Sequence, residues 1–573
     1  MTRPPTVRRT TPIDAGVFGP LLNNLSATST YVSGIDRTEY QDGRARNFSV
    51  GLDYLIAGDS ARLFEFRGRP LRWNPTQLRL TSGIVNATDR RLSFIRPGGA
   101  LNEQPTVSTA LSRLWRNGGV FELRPTDGLT ARWELHSARD LRDYGDTTTA
   151  ALVASRQRQS MFGANTGFER ERSMETSVSF APAVSSWLRP RGDIGTQYNM
   201  LRDPNVRSLV TLPGVIGVDS VLAARDSLLT APSFTLPRRM VAAQTASVGA
   251  QVDIARAFAE HTRDSTAARR IGALFAPVDV SYSRSLVSAL DAAPLEAPLL
   301  FQLGFGGPSS FRQVRGLDAT TAGQTGTLSA SGALVLPLGT SFVNRYRRTS
   351  TLNWISRPDA PQAQVDGRQT QFPDVALRWA YRPAVPTGLL SHFDASVGYV
   401  RNAATVTLPS LLGEAPPEVR HTHVEIYPVS ATMAWAGNRG FSTGARVSVM
   451  RRIDSLPGSI ARSRGNEVGV DAGRSFRVPE SWGLGLRNDV RTRLGIQQTH
   501  NTTYVIDPGG LVQSRLQDNG RRAFNLTADS NLSETINLAF QGSHVITFDN
   551  NLNHKFAQTI LSVVLQLQLF GGK

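Results

Sequence analysis

The sequence predicts an all-β fold, a large antiparallel transmembrane β-barrel, from three observations. The stretch 523–532 places Phe524, Leu526 and Ala528 in one phase of an alternating pattern and polar residues in the other. Similar segments run for ten or more residues, which is longer than the usual globular strand. No apolar run approaches the roughly 18 residues of a membrane-crossing helix. Long alternating strands of this kind are the sequence signature of an outer-membrane barrel.

The last strand shows the pattern most clearly. From Thr559 to Phe570, leucine and valine alternate with glutamine before the chain ends on Gly-Gly-Lys. We expect the apolar phase to face lipid and the glutamines to face a water-filled lumen. The predicted lipid-facing residues are Val563, Leu565, Leu567 and Leu569, and the predicted lumen-facing residues are Gln566 and Gln568.

Taken in order, the chain divides into three parts. Alternation in segments such as 47–56 and 129–136 predicts barrel-wall strands over residues 1–205. Residues 206–275 break the alternation with Ala- and Arg-rich helical spacing, which predicts an extended loop or lumen insertion with short helices. Residues 276–573 return to wall strands and end on the closing C-terminal strand. One strand per roughly 30–40 residues gives roughly 14–18 strands, in a wall that is complete or part of a larger one.

Amino-acid composition excludes several classes of function. The net charge of +17 would suggest nucleic acid, but the basic residues are scattered arginines, with lysine only at 555 and 573. We therefore expect no nucleic-acid partner and favour contact with anionic lipid head groups or charge in the lumen. The absence of cysteine excludes disulfides and thiol catalysis. A mean hydropathy of −0.22 is too polar for a helical membrane protein.

The first residues, Met1–Arg9, are basic but are followed by no apolar segment. This pattern does not fit a secretory signal peptide. Because a barrel must be exported, the sequence predicts that the chain is the C-terminal part of a longer protein.

Two sets of residues could carry chemistry. His421, His423 and Glu425 fall at i, i+2 and i+4 on one face of a strand, which makes them a weak candidate for a divalent metal. The favoured interpretation is an ordinary polar hairpin end or lumen wall. Three arginines in the polar phase of strands are expected to face the lumen and bias the passage of anionic segments. They are Arg446, Arg487 and Arg491.

Several segments, in the correct order, resemble the C-terminal portion of the SprA/Sov family. They include Ala297–Gly306, Glu425–Gly440 and Arg521–Glu534, the last similar to the family's Leu-x-Ala-Asp-Tyr-x-Leu-Ser-Glu segment. That family is the outer-membrane translocon of type IX secretion and gliding motility. The resemblance implies a protein-conducting channel in the cell outer membrane, with secreted protein cargo. It also implies barrel shuttle and plug proteins of the same system and outer-membrane lipid as partners, and no catalytic residue or cofactor.

The alternatives differ in class. An autonomous porin or solute channel needs only the predicted strand number. A barrel enzyme needs a carboxylate, histidine and serine cluster at the rim, and the sequence identifies none, so we expect no enzymatic activity. A soluble β-sandwich is disfavoured because the strands are long and lack turn residues every 8–12 positions.

Overall fold

The computed structural model describes most of the chain. The described residues are 6–8, 23, 25–37, 41–55, 64–66, 69–71, 75–93, 106–143, 149–161, 164–202, 210–211, 234–261, 270, 272–357, 360–383, 390–409, 417–435, 440–477, 490–507, 509, 513–531 and 536–567.

Strands dominate the described residues. The first half contains β1 (Thr6–Arg8), β2 (Leu25–Arg37), β3 (Gln41–Leu55), β4 (Phe64–Phe66), β5 (Arg69–Leu71), β6 (Pro75–Ser93), β7 (Thr106–Thr126), β8 (Leu129–Asp140), β9 (Gln159–Met161), β10 (Ala164–Phe180), β11 (Leu188–Arg202), β12 (Val210–Thr211), β13 (Phe234–Thr235), β14 (Arg238–Val252) and β15 (Val278–Ala293). The second half contains β16 (Gln313–Val314), β17 (Leu317–Asp318), β18 (Thr321–Leu336), β19 (Thr340–Arg357), β20 (Ala360–Tyr381), β21 (Leu390–Leu408), β22 (Glu418–Trp435), β23 (Ser442–Leu456), β24 (Ser459–Phe476), β25 (Val490–Ile506), β26 (Gln513–Asn531), β27 (Ile536–Asp549) and β28 (His554–Leu567).

Helices are few and short in the described residues. They are α1 (Thr149–Arg156), α2 (Ile254–His261), α3 (Leu299–Gln302), α4 (Pro308–Arg312) and a 3-10 turn at Pro337–Gly339. None of the helices in the described residues has the length and apolar character that crossing a membrane requires.

One antiparallel sheet of 22 strands organises the described residues. Each long strand pairs with the next long strand along the chain, from β2 and β3 through to β27 and β28. The short strands β1 and β9 add to β2 and β10. The predicted all-β, antiparallel class with short helices is therefore confirmed.

The predicted strand number, roughly 14–18, was too low. The sequence estimate assumed long connections, whereas several neighbouring strands are joined by two or three residues, as at 127–128, 337–339 and 457–458. The long strands also run from 12 residues in β8 to 22 in β20. Since about 9–11 tilted residues cross a bilayer, such strands reach well beyond one.

The predicted insertion at 206–275 also needs correction. Strand β14 lies inside that range and pairs with β11 on one side and β15 on the other, so it belongs to the sheet. Its apolar-face positions include the small residues Ala242 and Ala246, which weaken the alternation in the sequence. Helix α2 follows β14 directly, and most of 203–233 lies outside the described residues.

The register sorts the side chains of the sheet into two faces, since directly paired residues point the same way and neighbours in a strand point opposite ways. One row across β21, β22, β23 and β24 consists of Val397, Val429, Val447 and Val468. These valines are 54%, 42%, 40% and 46% exposed. We call the side that carries this row the apolar face and the other side the polar face.

Aromatic residues border the apolar face at two levels. At one level, Tyr399 and Tyr427 lie with ring centroids 5.1 Å apart. At the other, Trp379 and Phe393 are also 5.1 Å apart, and Trp435 ends β22. Tyr427 and Trp435 are eight positions apart on β22, which is roughly 26 Å along the strand at about 3.3 Å per residue. Along this strand, aromatic residues therefore bound the apolar face at both levels.

Beyond one border, protein covers the apolar side of the sheet. The segment 294–320, with α3 and α4, packs Phe301 and Phe311 against Tyr198, Met240 and neighbouring residues. The aromatic ring of Tyr198 is fully buried there. This packing builds the main hydrophobic core and removes that part of the sheet from contact with any outside medium.

In the part of the chain that the structure describes, the two ends of the sheet are edges. Strand β28 pairs with β27 along one side, and β2 pairs with β3 along its whole length and with β1 at Ser26–Thr28. The side chains of β28 are accordingly open, with Leu561 70% and Val563 67% exposed.

The register of β21 and β22 can be tested with a disulfide, because the chain has no native cysteine. The hydroxyl oxygens of Ser396 and Ser430 lie 2.7 Å apart on the polar face. We expect the double variant Ser396→Cys/Ser430→Cys to cross-link completely on mild oxidation, as read by peptide mass spectrometry. A one-residue slip would put the two positions on opposite faces. The control is Ser396→Cys/Ala431→Cys, and equal cross-linking of this pair would contradict the register.

Candidate functional site: the polar face of the sheet

The polar face concentrates the ion pairs of the wall. On β8, Glu134 accepts from Arg132 Nη2 at 2.9 Å and lies 2.8 Å from His136 Nε2. These three residues follow one another at every second position, so the strand itself holds them in line. The result is a row in which Glu134 lies between two basic side chains along one wall strand.

A second charged group joins three neighbouring strands. Arg446 on β23 lies 3.3 Å from Glu467 on β24, and Gln497 on β25 donates to the same carboxylate at 3.0 Å. Arg493 on β25 reaches Asp471 on β24 at 3.1 Å. Arg446, Asp471, Arg493 and Gln497 line a pocket of about 190 Å³. The wall here presents both signs of charge, with the arginines more exposed than the carboxylates.

A larger pocket, of about 510 Å³, lies on the same face across β7, β8, β10, β11 and β14. Its lining includes Arg116, His136, Glu171, Asn199 and Arg239. In the described residues, no group of three His, Asp or Glu side chains that could hold a metal ion accompanies them. The arrangement suits transient contact with a polar, charged molecule that moves past.

Glycines make room for the long charged side chains. A Cβ at Gly469 would lie 2.8 Å from Nε of Arg446, which is the residue paired directly opposite. Arg191 on β11 crosses over Gly249 on β14 to reach Asp279 on β15 at 3.0 Å. A Cβ at Gly249 would lie 2.9 Å from the carbonyl oxygen of Val280. Small residues therefore position the ion pairs of the polar face.

The predicted lumen and lipid residues can be placed on these faces. Arg446, Arg491 and Gln566 lie on the polar face. Val563 and Leu565 lie on the apolar face, 67% and 55% exposed. Arg487, Gln568 and Leu569 lie outside the described residues, and for Leu567 only the backbone is described. Their contact with lipid or with a lumen remains a prediction at this point.

The weak metal candidate is not supported. His421, His423 and Glu425 share the apolar face of β22, and His423 Nε2 lies 3.4 Å from a carboxylate oxygen of Glu425. His421 Nδ1 lies 3.2 Å from Thr405 Oγ1. Glu425 accepts from the hydroxyls of Tyr399 and Tyr427 at 3.2 and 3.1 Å. In the described part of the chain, no group of three His, Asp or Glu residues could hold an ion.

Sequence patterns did not predict the partly buried polar cluster under segment 294–320. The guanidinium of Arg172 on β10 donates to Glu296 at 2.6 Å and to Gln302 at 2.7 Å. Glu169 also accepts a hydrogen bond from the guanidinium of Arg172. The residues come from positions more than a hundred apart, so no local pattern could reveal them. These hydrogen bonds hold segment 294–320 against the apolar side of the wall strands.

No protein-family model matches the chain, and no curated protein matches it by sequence. Among solved structures it is similar to a mutant of the ferric enterobactin receptor PfeA from Pseudomonas aeruginosa, with 10% identity and a TM-score of 0.24 over 92% of this chain and 75% of that one. The siderophore receptor PirA from Acinetobacter baumannii is 8% identical, with a TM-score of 0.22 over 90% of this chain and 75% of that one. The translocation pore of the P pilus usher PapC is 10% identical, with a TM-score of 0.11 over 94% of this chain and 98% of that one. We base no functional argument on similarities at this level.

The role of glycine in the charged wall predicts a stability effect. Gly249→Ala places a methyl group against a backbone oxygen that cannot move away, so we expect the free energy of unfolding to fall by about 1–3 kcal/mol. Urea denaturation of the purified protein measures this. The matched control is Gly192→Ala on β11, where the nearest atom to the new Cβ is 3.7 Å away. Equal stability of both variants would contradict the packing described here.

Proposed function

We propose that this chain forms the wall of an outer-membrane channel that conducts exported proteins, in the manner of the type IX translocon it resembles in sequence. The observation that carries the proposal is the opposite chemistry of the two faces of one continuous sheet. The apolar face is a band with aromatic borders, and the polar face holds ion pairs and pockets.

The apolar face supports a position in the membrane. Large exposed side chains such as Val248, Leu377 and Val470, 61%, 47% and 51% exposed, would destabilise a sheet standing in water. A band of about 25 Å between two aromatic girdles is the outer surface of a transmembrane barrel. On β22 the run from Tyr427 to Trp435 is nine residues long, and about 9–11 residues of a tilted strand cross a bilayer. The outer membrane is where such barrels reside.

The polar face supports a water-filled lumen. Lining carboxylates and guanidinium groups, as in the Arg446–Glu467 and Arg493–Asp471 pairs, stay hydrated only if water reaches them. Barrels of roughly 16–18 strands already leave an aqueous channel. The 20 long strands of this sheet would enclose a wider one.

Passage of protein is supported by the sequence resemblance and by the lining. The resembling segments Glu425–Gly440 and Arg521–Glu534 include parts of wall strands β22 and β26. Mixed charges and small residues give many weak contacts and no deep apolar trap, which suits a moving polypeptide. The proposed partners are secreted cargo and the barrel shuttle and plug proteins of the type IX system. Outer-membrane lipid surrounds the wall.

The alternative is an autonomous porin or solute channel. It is favoured by the number of long strands, which is enough to enclose a lumen without another protein. In lipid, the backbone groups along the open side of β28 must pair with a strand, because each unpaired group costs several kcal/mol. A porin would pair β28 with an early strand of the same chain.

Photo-cross-linking separates the two functions. A photoreactive amino acid replaces Gln497, on the polar face, in cells that are exporting protein. We expect it to capture exported polypeptides, identified by mass spectrometry. The matched control is the adjacent Ile496, which lies on the apolar face and is 43% exposed. It should capture none.

A strain in which the protein is deleted provides the second part of this experiment. Cells that lack it should retain exported proteins in the periplasm while the uptake of small hydrophilic solutes is unchanged. Reduced solute uptake with normal secretion, and no polypeptide captured at position 497, would replace the proposal with the porin alternative.

A further inference from the structure

Arginines line the apolar face just beyond one of its aromatic borders. Five of them, on β19, β20, β21, β23 and β24, are exposed and form what we call the arginine belt. The belt consists of Arg348, Arg368, Arg401, Arg451 and Arg464, placed on the apolar face by their register. It lies immediately next to the level of Tyr399 and Tyr427.

The belt carries unbalanced charge. In the described residues, none of its guanidinium groups lies within 4 Å of a carboxylate, whereas Arg446 and Arg452, on the polar face of the same strand β23, both have one. Two carboxylates, Glu425 and Asp366, face the same side of these strands. Glu425 is already hydrogen-bonded by two tyrosines and lies 3.4 Å from His423.

Two belt residues of like charge lie directly opposite each other, which is electrostatically unfavourable. Arg451 and Arg464 are directly opposite each other on β23 and β24. Like charges at directly opposite positions destabilise a sheet unless an anion lies between them. The guanidinium of Arg451 lies 5.9 Å from the ring centroid of Tyr427, which holds it at the aromatic border.

The charge is asymmetric across the band. At the opposite aromatic border, the described residues of β19 to β24 place one arginine on the apolar face, Arg474. The belt lies toward the end of the sheet where the two longest connections between wall strands, 203–237 and 294–320, are found. In outer-membrane barrels the longer loops are extracellular. The belt therefore meets the head groups of the outer leaflet.

We propose that the arginine belt binds the phosphate groups of lipid head groups in the outer leaflet, with Arg451 and Arg464 as the central pair. Guanidinium groups bind phosphate through two parallel hydrogen bonds, and basic clusters beside a membrane-spanning segment bind anionic lipid. A phosphate between the two arginines relieves their repulsion, and the lipid chains continue onto the adjacent apolar band. The inference rests on the membrane position argued above.

Lipid retention by the full chain, measured by native mass spectrometry, tests the inference. The protein is released from mixed micelles that contain phosphatidylglycerol and phosphatidylcholine in equal amounts. Wild type should retain phosphatidylglycerol in preference. Arg451→Gln/Arg464→Gln should weaken that retention about 30-fold, since each basic side chain near the surface contributes about 1 kcal/mol.

The matched control is Arg446→Gln/Arg452→Gln, which removes two arginines from the polar face of β23. It should retain phosphatidylglycerol as wild type does. An equal loss in both double variants, or no loss in the belt variant, would overturn the inference. So would displacement of the lipid by millimolar inorganic phosphate, because the site would then take the free ion.

The outcomes also distinguish this inference from the proposed function. If the protein retains neither lipid, the membrane position itself fails. If it retains both lipids equally, the membrane position stands and the belt has no selectivity for phosphate-bearing anionic head groups. Export of protein should be unchanged in the belt variant, since the belt lies on the side away from the lumen.

Discussion

Every long strand between the two ends of this sheet satisfies two conditions at once, and the rest of the structure depends on them. The backbone must be paired along both edges, because an open amide in lipid costs several kcal/mol. The side chains must also separate by phase into an apolar and a polar set, because the two sides of the sheet contact different media. A meander in which each strand pairs with the next meets the first condition with short connections. Strict register meets the second, since a slip of one residue would exchange the two sets.

The same two conditions explain the distribution of charge. Carboxylates and arginines on the polar face pair across strands, and glycines such as Gly249 and Gly469 leave the space that their side chains need. On the apolar side of β19 to β24, the arginine belt lies beyond the aromatic border. In the described residues its guanidinium groups have no carboxylate within 4 Å, which is why we assign their counter-ions to lipid. Segment 294–320 covers the wall still further out, where the partly buried Arg172 cluster shows that protein packs against the sheet.

The sequence predicted what depends on local alternation and missed what depends on distance. The phase of Leu565 and Gln566 could be read directly, because strand period is a property of neighbouring residues. Strand β14 was missed because alanine at its packing positions carries little hydrophobic signal. The paired charges of Arg446 and Glu467 required the register of two strands, which no single-strand pattern contains. His421 and His423 were read as possible ligands because spacing alone does not show that tyrosines and threonine occupy the neighbouring positions.

The central claim is that one sheet separates lipid from water, and thiol accessibility along β22 tests it most directly. Single cysteines replace Val429, Ser430, Ala431 and Thr432 in a chain that has no native cysteine. In isolated outer membranes, a charged water-soluble maleimide should label positions 430 and 432 and spare 429 and 431. A membrane-partitioning maleimide should give the reverse pattern. Equal labelling of both phases by either reagent would contradict the account.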